Sequence, residues 1–267
     1  MRAFHNTALT IVVALVGILP SSSLFSQVLQ PPTPDVPRTT LAPGLREVPD
    51  YRQLVAVPPT STLPEGFSRI FNGSDLSGWH VSKSARHGQS PDFRVVDGMI
   101  IGSQMPLGRG GLLLTDRSYR DFELYMEVKP DWGNDSGVFF RTTEGGAAYQ
   151  ITMDYLPGGS MGRLIGEGGI SFGSGLASPP LPQDPGFAAW RRDNWNVVRI
   201  RVVGDVPRAT VWINDHQVSD TADIANHAVG GAVEGPLAIQ IHGGTARWQP
   251  GGFWRWRTIA IKELRRE

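Results

Sequence analysis

The chain has 267 residues, carries 25 basic and 25 acidic side chains, and contains no cysteine. Balanced charge without a long run of lysine or arginine excludes the basic surface expected of a nucleic-acid-binding protein. The lack of cysteine excludes disulfide bonds and thiolate metal ligands. The 32 Gly, 21 Pro and 8 Trp residues are typical of short strands joined by tight turns, rather than of long helices.

Three segments are distinguished by composition. Residues 1–27 carry Arg2, an apolar run from Ala8 to Leu19 and then a Ser-rich stretch, which predicts a signal peptide. The apolar run is shorter than the roughly 20 residues of a membrane-spanning helix, so we expect export to the periplasm or the extracellular space, with no stable membrane span after cleavage. Residues 28–66 are rich in proline and are predicted to be a linker or arm, either a tether or a segment docked on the domain surface. Residues 67–267 are predicted to form one domain.

Strand patterns begin soon after the linker. Phe93 to Val96 and Met99 to Ile101 flank Asp97-Gly98, which predicts a hairpin. Residues 121–129 alternate, with Phe122, Leu124, Met126 and Val128 on one face. Further strands are predicted at 111–114, 136–141, 149–154, 195–203, 209–213, 237–242 and 254–264, with a second hairpin turn at Asn214-Asp215.

The passage 157–186 is rich in Gly and Pro and is predicted to be a long, functional loop. With about ten to twelve strands and no amphipathic helix, the pattern predicts an all-β fold of two packed antiparallel sheets, a β-sandwich.

Four segments in order carry a family resemblance: 71–79, 121–124, 134–141 and 256–264. They resemble the 3-keto-disaccharide hydrolase domain. The resemblance implies a concanavalin-A-like jelly roll that binds saccharide on a concave sheet face, and hydrolysis of a glycosidic bond in a sugar oxidised at C3. The strand 149–154 departs from the family pattern, because Gln150 stands where many relatives have glutamate.

Alternation along the strands selects side chains that point away from the core. Leu237, Ile239 and Ile241 share one side of their strand, which leaves Gln240 and His242 on the other. If the two strands lie in one sheet, Gln240 and His242 share a surface with Gln150, Thr152 and Asp154. This shared surface is the predicted carbohydrate site.

A 3-keto sugar has an acidic hydrogen on C2, so its cleavage needs a base, an acid and a partner for the enolate oxygen. We expect His242 to be the base, because imidazole titrates near neutral pH. Asp154 or Glu167 would orient it or act as the acid, and Arg141 would face the enolate. A divalent cation held by His242 with Asp154 or Glu167 is an alternative, and no other cofactor is implied.

Structural roles for the same residues stay open. His242 could be a structural histidine, Asp154 could cap a turn, and Glu167 lies in a Gly-rich passage. Arg141 could pair with Glu123 or Glu127 on a neighbouring strand.

The residues expected to bind substrate are Gln240, Gln150, Trp248, Glu123 and Tyr125, with Trp248 as a platform for sugar stacking. The alternative function is a lectin-like carbohydrate-binding module without turnover. An ordinary glycosidase is disfavoured, because no Glu-x-Asp-x-x-Glu strand pattern supplies paired carboxylates. The sequence makes no prediction of oligomeric state.

Overall fold

The computed structural model describes residues 62–89, 91–170 and 185–265. The predicted signal peptide lies outside these residues, as does the predicted arm except for 62–66. The strands are β1 (Ser68–Arg69), β2 (Trp79–Val81), β3 (Asp92–Val96), β4 (Met99–Ser103), β5 (Gly111–Tyr119), β6 (Phe122–Val128), β7 (Ser136–Phe140), β8 (Ala148–Met153), β9 (Met161–Glu167), β10 (Asn196–Val203), β11 (Arg208–Ile213), β12 (His216–Ala222), β13 (Gly235–Ile241) and β14 (Trp254–Glu263). A short helix, α1 (Pro185–Ala189), precedes β10, and a 3-10 turn spans Val229–Gly231.

The strands form two sheets. The larger sheet has eight strands in the order β12-β11-β10-β6-β14-β4-β3, with β1 paired to β14. The smaller sheet has six strands in the order β2-β5-β13-β7-β8-β9. The strand pairs are antiparallel. The predicted fold class, an all-β antiparallel sandwich of the jelly-roll type, is confirmed.

The core lies between the sheets and follows the alternation of the strands. From the larger sheet it takes the apolar face of β6 predicted above, including Leu124 and Met126. From the smaller sheet it takes Tyr149, Ile151 and Met153 of β8, all at most 1% exposed. Because alternate residues of a strand point to opposite faces, the residues between them on β8 must face outward from the sandwich.

Both predicted hairpins are present and have the backbone that their turn residues favour. Asp97 and Gly98 join β3 to β4 with φ of 48° and 75°. Asn214 and Asp215 join β11 to β12 with φ of 48° and 68°. A two-residue turn with positive φ at both positions matches the twist of the flanking strands, and Asn, Asp and Gly tolerate it best.

The prediction of one long loop over 157–186 is wrong in part. β9 occupies Met161–Glu167 and pairs with β8, and α1 begins at Pro185. The pairing register shifts between Ile151 and Met153, so the core residues of β9, Met161 and Leu164, are three positions apart instead of two. This irregularity removes the alternation by which a strand is recognised in a sequence. Residues 171–184 lie outside the described residues.

Across the described part of the chain, no helix has the length and apolar character needed to cross a membrane.

Candidate active site

A cavity of about 240 Å³ lies on the outer face of the smaller sheet. It is bounded by β8, the turn that follows β8, β9 and the end of β13. The residues that line it are Asp135, Gln150, Thr152, Asp154, Gly158, Gly159, Ser160, Ile165, Glu167, Gln240 and His242. Most of these side chains are polar, so the cavity suits a ligand that forms many hydrogen bonds.

The floor of the cavity is a pair of glutamines that meet across the middle strand, β7. Gln150 on β8 donates from Nε2 to Oε1 of Gln240 on β13, over 3.0 Å. The intervening residue is Gly137, where a Cβ atom would lie 2.0 Å from Gln150 Nε2. Only glycine leaves room for this contact, and the contact fixes both amides in the floor.

Asp135 and His242 are neighbours at one end of the cavity. Asp135 immediately precedes β7 and His242 immediately follows β13, so the two adjacent strands bring them together. Asp135 Oδ2 lies 3.4 Å from His242 Nε2 and 3.5 Å from Arg247 Nε. Arg247 also forms a close ion pair with Asp154, so its guanidinium group joins both carboxyl groups.

The segment around Asp135 is held firmly by hydrogen bonds. The backbone N–H of Asp135 donates to the carbonyl of Arg247 over 3.0 Å. The preceding N–H, of Asn134, donates to the hydroxyl of Tyr155 over 3.0 Å, and that hydroxyl donates to the Asp131 carbonyl over 2.8 Å. The carboxyl group of Asp135 is therefore presented to the cavity by a rigid backbone.

Burial changes the protonation of this pair. Burial, with the nearby charge of Asp154, raises the pKa of Asp135 to about 8. Burial also lowers the pKa of His242. Near pH 7 the cavity therefore holds a mostly protonated carboxylic acid beside a neutral imidazole. Such a pair can donate one proton and accept another.

A second histidine and carboxyl group lie on the β9 side of the cavity. His87 Nε2 is 3.8 Å from Oε2 of Glu167. Burial, with the charges of His242 and Arg86, lowers the pKa of His87 to about 4. Burial also raises the pKa of Glu167. This imidazole is therefore neutral throughout the physiological pH range.

Five of the predicted site residues line this one cavity: His242, Asp154, Glu167, Gln240 and Gln150. The two strands assumed to lie in one sheet do so, separated only by β7. Asp154 also accepts a hydrogen bond from the Leu156 N–H over 3.2 Å, so it caps the turn as well as facing the cavity.

The other four predicted residues do not line this cavity. Arg141 is buried and donates to the carbonyls of Gly204 and Asp205, because the chain turns at its positive φ of 49°. Trp248 is 3% exposed and belongs to the core cluster, since its loop folds the indole inward. Glu123 and Tyr125 lie on β6 of the larger sheet, where Glu123 faces Arg201 at 3.9 Å and Tyr125 packs on Phe67.

The sequence reasoning missed Asp135, Arg247, His87 and Ser160. Asp135 carried a usable signal, because it stands in the resemblance segment 134–141 directly before an apolar strand. His87 and Arg247 stand in irregular segments between strands, where alternation gives no information about direction. Ser160, which shares a 2.9 Å hydrogen bond with Thr152, belongs to the turn before the unrecognised β9.

The candidate metal ligands His242, Asp154 and Glu167 are not gathered into a three-ligand cluster. Within residues 62–89, 91–170 and 185–265, no group of three or more His, Asp or Glu side chains is arranged to hold a metal ion. Asp154 is instead paired with Arg247, whose positive charge occupies the place beside this carboxylate.

A family model described as the 3-keto-alpha-glucoside-1,2-lyase-like domain matches residues 66–262. The chain belongs to this family. The match covers both sheets, and it confirms the family predicted from the four sequence segments. Asp135, Gln150, Glu167 and His242 all lie within the 3-keto-alpha-glucoside-1,2-lyase-like domain.

Solved structures with similarity to the chain include a candidate glycosyl hydrolase from Parabacteroides distasonis ATCC 8503, at 17% identity and a TM-score of 0.48, covering 76% of this chain and 99% of that one. Carbohydrate-binding module CBM66 from Bacillus subtilis has 14% identity and a TM-score of 0.45, covering 70% and 96%. A Bacillus subtilis protein of unknown function with a galectin-like fold has 12% identity and a TM-score of 0.49, covering 75% and 96%. A search of curated proteins finds no match.

Proposed function

We propose that the chain cleaves 3-keto-glycosides by elimination across C1 and C2 of the oxidised sugar, with water adding afterwards to complete hydrolysis. Membership of the 3-keto-alpha-glucoside-1,2-lyase-like family supports this substrate class. The observation that carries the mechanism is the pairing of a neutral imidazole, His242, with a protonated carboxyl group, Asp135, in one cavity.

The reaction needs one base and one acid. His242 Nε2 removes the C2 proton, which the C3 ketone makes acidic, and the electron pair moves onto the C3 oxygen as an enolate. The enolate then restores the ketone and forms C1=C2, and the C1–O bond breaks. The departing oxygen keeps the electron pair and takes a proton from Asp135. The products are an unsaturated 3-keto sugar and an alcohol.

The groups around His242 and Asp135 stabilise their charged forms and allow the proton to return to Asp135. When Asp135 has lost its proton, its negative charge lies beside Arg247 Nε at 3.5 Å. When His242 has gained a proton, it lies 3.4 Å from the same carboxylate and can return the proton to it. Gln150 and Thr152 supply neutral hydrogen-bonding groups for the sugar hydroxyls and for the enolate oxygen.

The main alternative is a lectin-like module that binds sugar without turnover. Sugar-binding faces of that kind rely on exposed aromatic rings on which a sugar stacks. Among the described residues that line this cavity there is no Trp, Tyr or Phe. The lining instead offers ionisable groups, which favours catalysis.

The test is incubation with 3-keto-trehalose and 3-keto-lactose, with the unoxidised disaccharides as controls. We expect cleavage of the keto forms only, and exchange of the C2 hydrogen with solvent deuterium. His242→Gln and Asp135→Asn should each reduce kcat by about a hundredfold or more, in keeping with the loss of a general base or acid. Binding of the keto sugar without release of the second sugar would show the lectin-like function instead.

We also propose that the protein is exported, because residues 1–27 have the pattern of a signal peptide. Expression of the full chain in a bacterium with a periplasm, followed by fractionation and N-terminal sequencing, tests this. We expect a mature N-terminus near residue 27 in the periplasm or medium. Recovery of the intact chain in the cytoplasm alone would contradict the proposal.

A further inference from the structure

His87 is a buried histidine that the proposed chemistry does not use. Its ring packs edge-on against Phe139, with centroids 5.6 Å apart. Its backbone carbonyl accepts the Gly110 N–H over 3.1 Å, and a Cβ on Gly243 would lie 2.4 Å from the same carbonyl oxygen. The ring is therefore fixed in position, which raises the question of where its two nitrogens point.

One nitrogen meets the glutamine pair of the cavity floor. Gln150 donates to Oε1 of Gln240, and this leaves Nε2 of Gln240 facing Nδ1 of His87 at 3.2 Å. An amide nitrogen has hydrogen atoms only to donate, so Nδ1 of His87 must accept. A neutral imidazole that accepts at Nδ1 carries its proton on Nε2.

The other nitrogen faces Glu167. Nε2 of His87 is buried, has no hydrogen-bond partner, and lies 3.8 Å from Glu167 Oε2. Contacts of this kind are often long in a site without substrate and shorten when substrate binds. We propose that His87 is a positioning residue: the glutamine pair holds it in the Nε2–H form, and this N–H group orients the carboxyl group of Glu167 toward substrate.

The consequence concerns which oxygen of Glu167 meets the sugar. The carboxyl group also accepts a backbone hydrogen bond from Gly168. With Oε2 directed to the His87 N–H group, a lone pair of Oε1 can still accept a hydrogen bond from a substrate hydroxyl. The low pKa of His87, about 4, means that the imidazole acts as a neutral donor and not as a cation. Its loss should therefore weaken substrate binding more than it slows the chemical step.

The first experiment reads the tautomer directly. Protein labelled with 15N-histidine is measured by NMR, and His87→Gln identifies the signal that belongs to His87. We expect the proton on Nε2, with no titration between about pH 5 and pH 9. A proton on Nδ1, or a titration in this range, would overturn the proposal whether or not the chain cleaves any sugar.

The second experiment reverses the direction of the two hydrogen bonds that join Gln150, Gln240 and His87. In Gln150→Glu, at a pH where the introduced carboxyl group is ionised, the carboxylate can only accept, so Gln240 must turn its amide nitrogen toward it and offer Oε1 to His87. We expect the His87 proton to move to Nδ1. Gln150→Met removes the hydrogen bond between Gln150 and Gln240 without imposing a direction on the Gln240 amide, and it serves as the control. A tautomer that stays unchanged in Gln150→Glu after the introduced carboxyl group has ionised would show that the glutamines do not set it.

The third experiment rests on the proposed function and measures turnover of the 3-keto sugar. His87→Ala should raise KM about tenfold and leave kcat within about threefold. His87→Gln places a neutral donor near the position of Nε2 and should restore most of the KM. Equal KM values for the two variants would overturn the positioning role. Absence of turnover in the wild-type protein would contradict the proposed function instead, and the NMR result would still decide the tautomer.

Discussion

Replacing Gly137 by alanine tests the glutamine floor, because the added methyl group enters the space that the Gln150 amide occupies. The new Cβ would lie 2.0 Å from Gln150 Nε2, far closer than non-bonded atoms approach. Gln150 must move, and its 3.0 Å hydrogen bond to Gln240 must break. Both amides are buried, so each group left without a partner costs about 1–3 kcal/mol. Alanine returns about 0.4–1 kcal/mol by restricting the unfolded chain.

The expected net result is a loss of about 1–5 kcal/mol in the free energy of unfolding, measured by urea denaturation. Gly145→Ala is the matched control, since a Cβ there meets nothing closer than 3.9 Å. It should leave stability unchanged or raise it slightly.

A double-mutant cycle makes the cause specific. In a Gln150→Ala background the obstructing amide is gone, so Gly137→Ala should cost little more. The coupling energy between the two positions should match that loss, about 1–5 kcal/mol. A loss no larger than that of Gly145→Ala, or a loss that persists in the Gln150→Ala background, would refute the reasoning.

Three further predictions concern the same end of the cavity. Because the pKa of Asp135 is raised from 3.8 to about 8, the native state keeps a proton that the unfolded chain loses between these pH values. Stability should therefore fall as pH rises through this range, by up to about 1.4 kcal/mol per pH unit, and denaturation of Asp135→Asn should show a weaker fall. Tyr155→Phe leaves the Asn134 N–H unpartnered and should lower the unfolding free energy by about 1–3 kcal/mol in urea titrations; an unchanged value would show that the hydroxyl is dispensable. Arg247→Met removes a charge that lowers the pKa of both Asp135 and His242, so the pH profile of kcat/KM should move to higher pH; a shift to lower pH would contradict this.

The part of the site that lies on regular strands could be predicted from the sequence. Gln150 and Gln240 each stand between apolar neighbours, so the face on which they lie follows from the two-residue period of a strand. The position of His242 follows from the same period at the end of β13. The sequence could not show that β7 separates these strands, yet a shared sheet was enough for the prediction.

The part that lies outside the strands could not be predicted. His87 and Arg247 contact residues that line the cavity because irregular segments fold back over the sheet, and such paths depend on contacts distant in sequence. Trp248 shows the opposite error, because a tryptophan beside Gly and Pro was expected to be exposed but packs in the core. The place of Arg141 at the end of an apolar strand predicts a role facing the enolate. Its guanidinium group instead contacts the turn at Gly204 and Asp205.

The alternation of β8 ties the candidate site to the folding of the chain. Tyr149 and Ile151 fill the space between the sheets, and Gln150 between them faces the cavity. A shift of β8 by one residue against β7 would put the amide in the apolar interior and two large side chains in water. A misaligned chain would therefore be unstable, because Gln150 would be buried among apolar groups and Tyr149 and Ile151 would be exposed, whatever the effect on activity. Changes on the outward face are limited in turn by the buried glutamine pair and by Gly137 between its members.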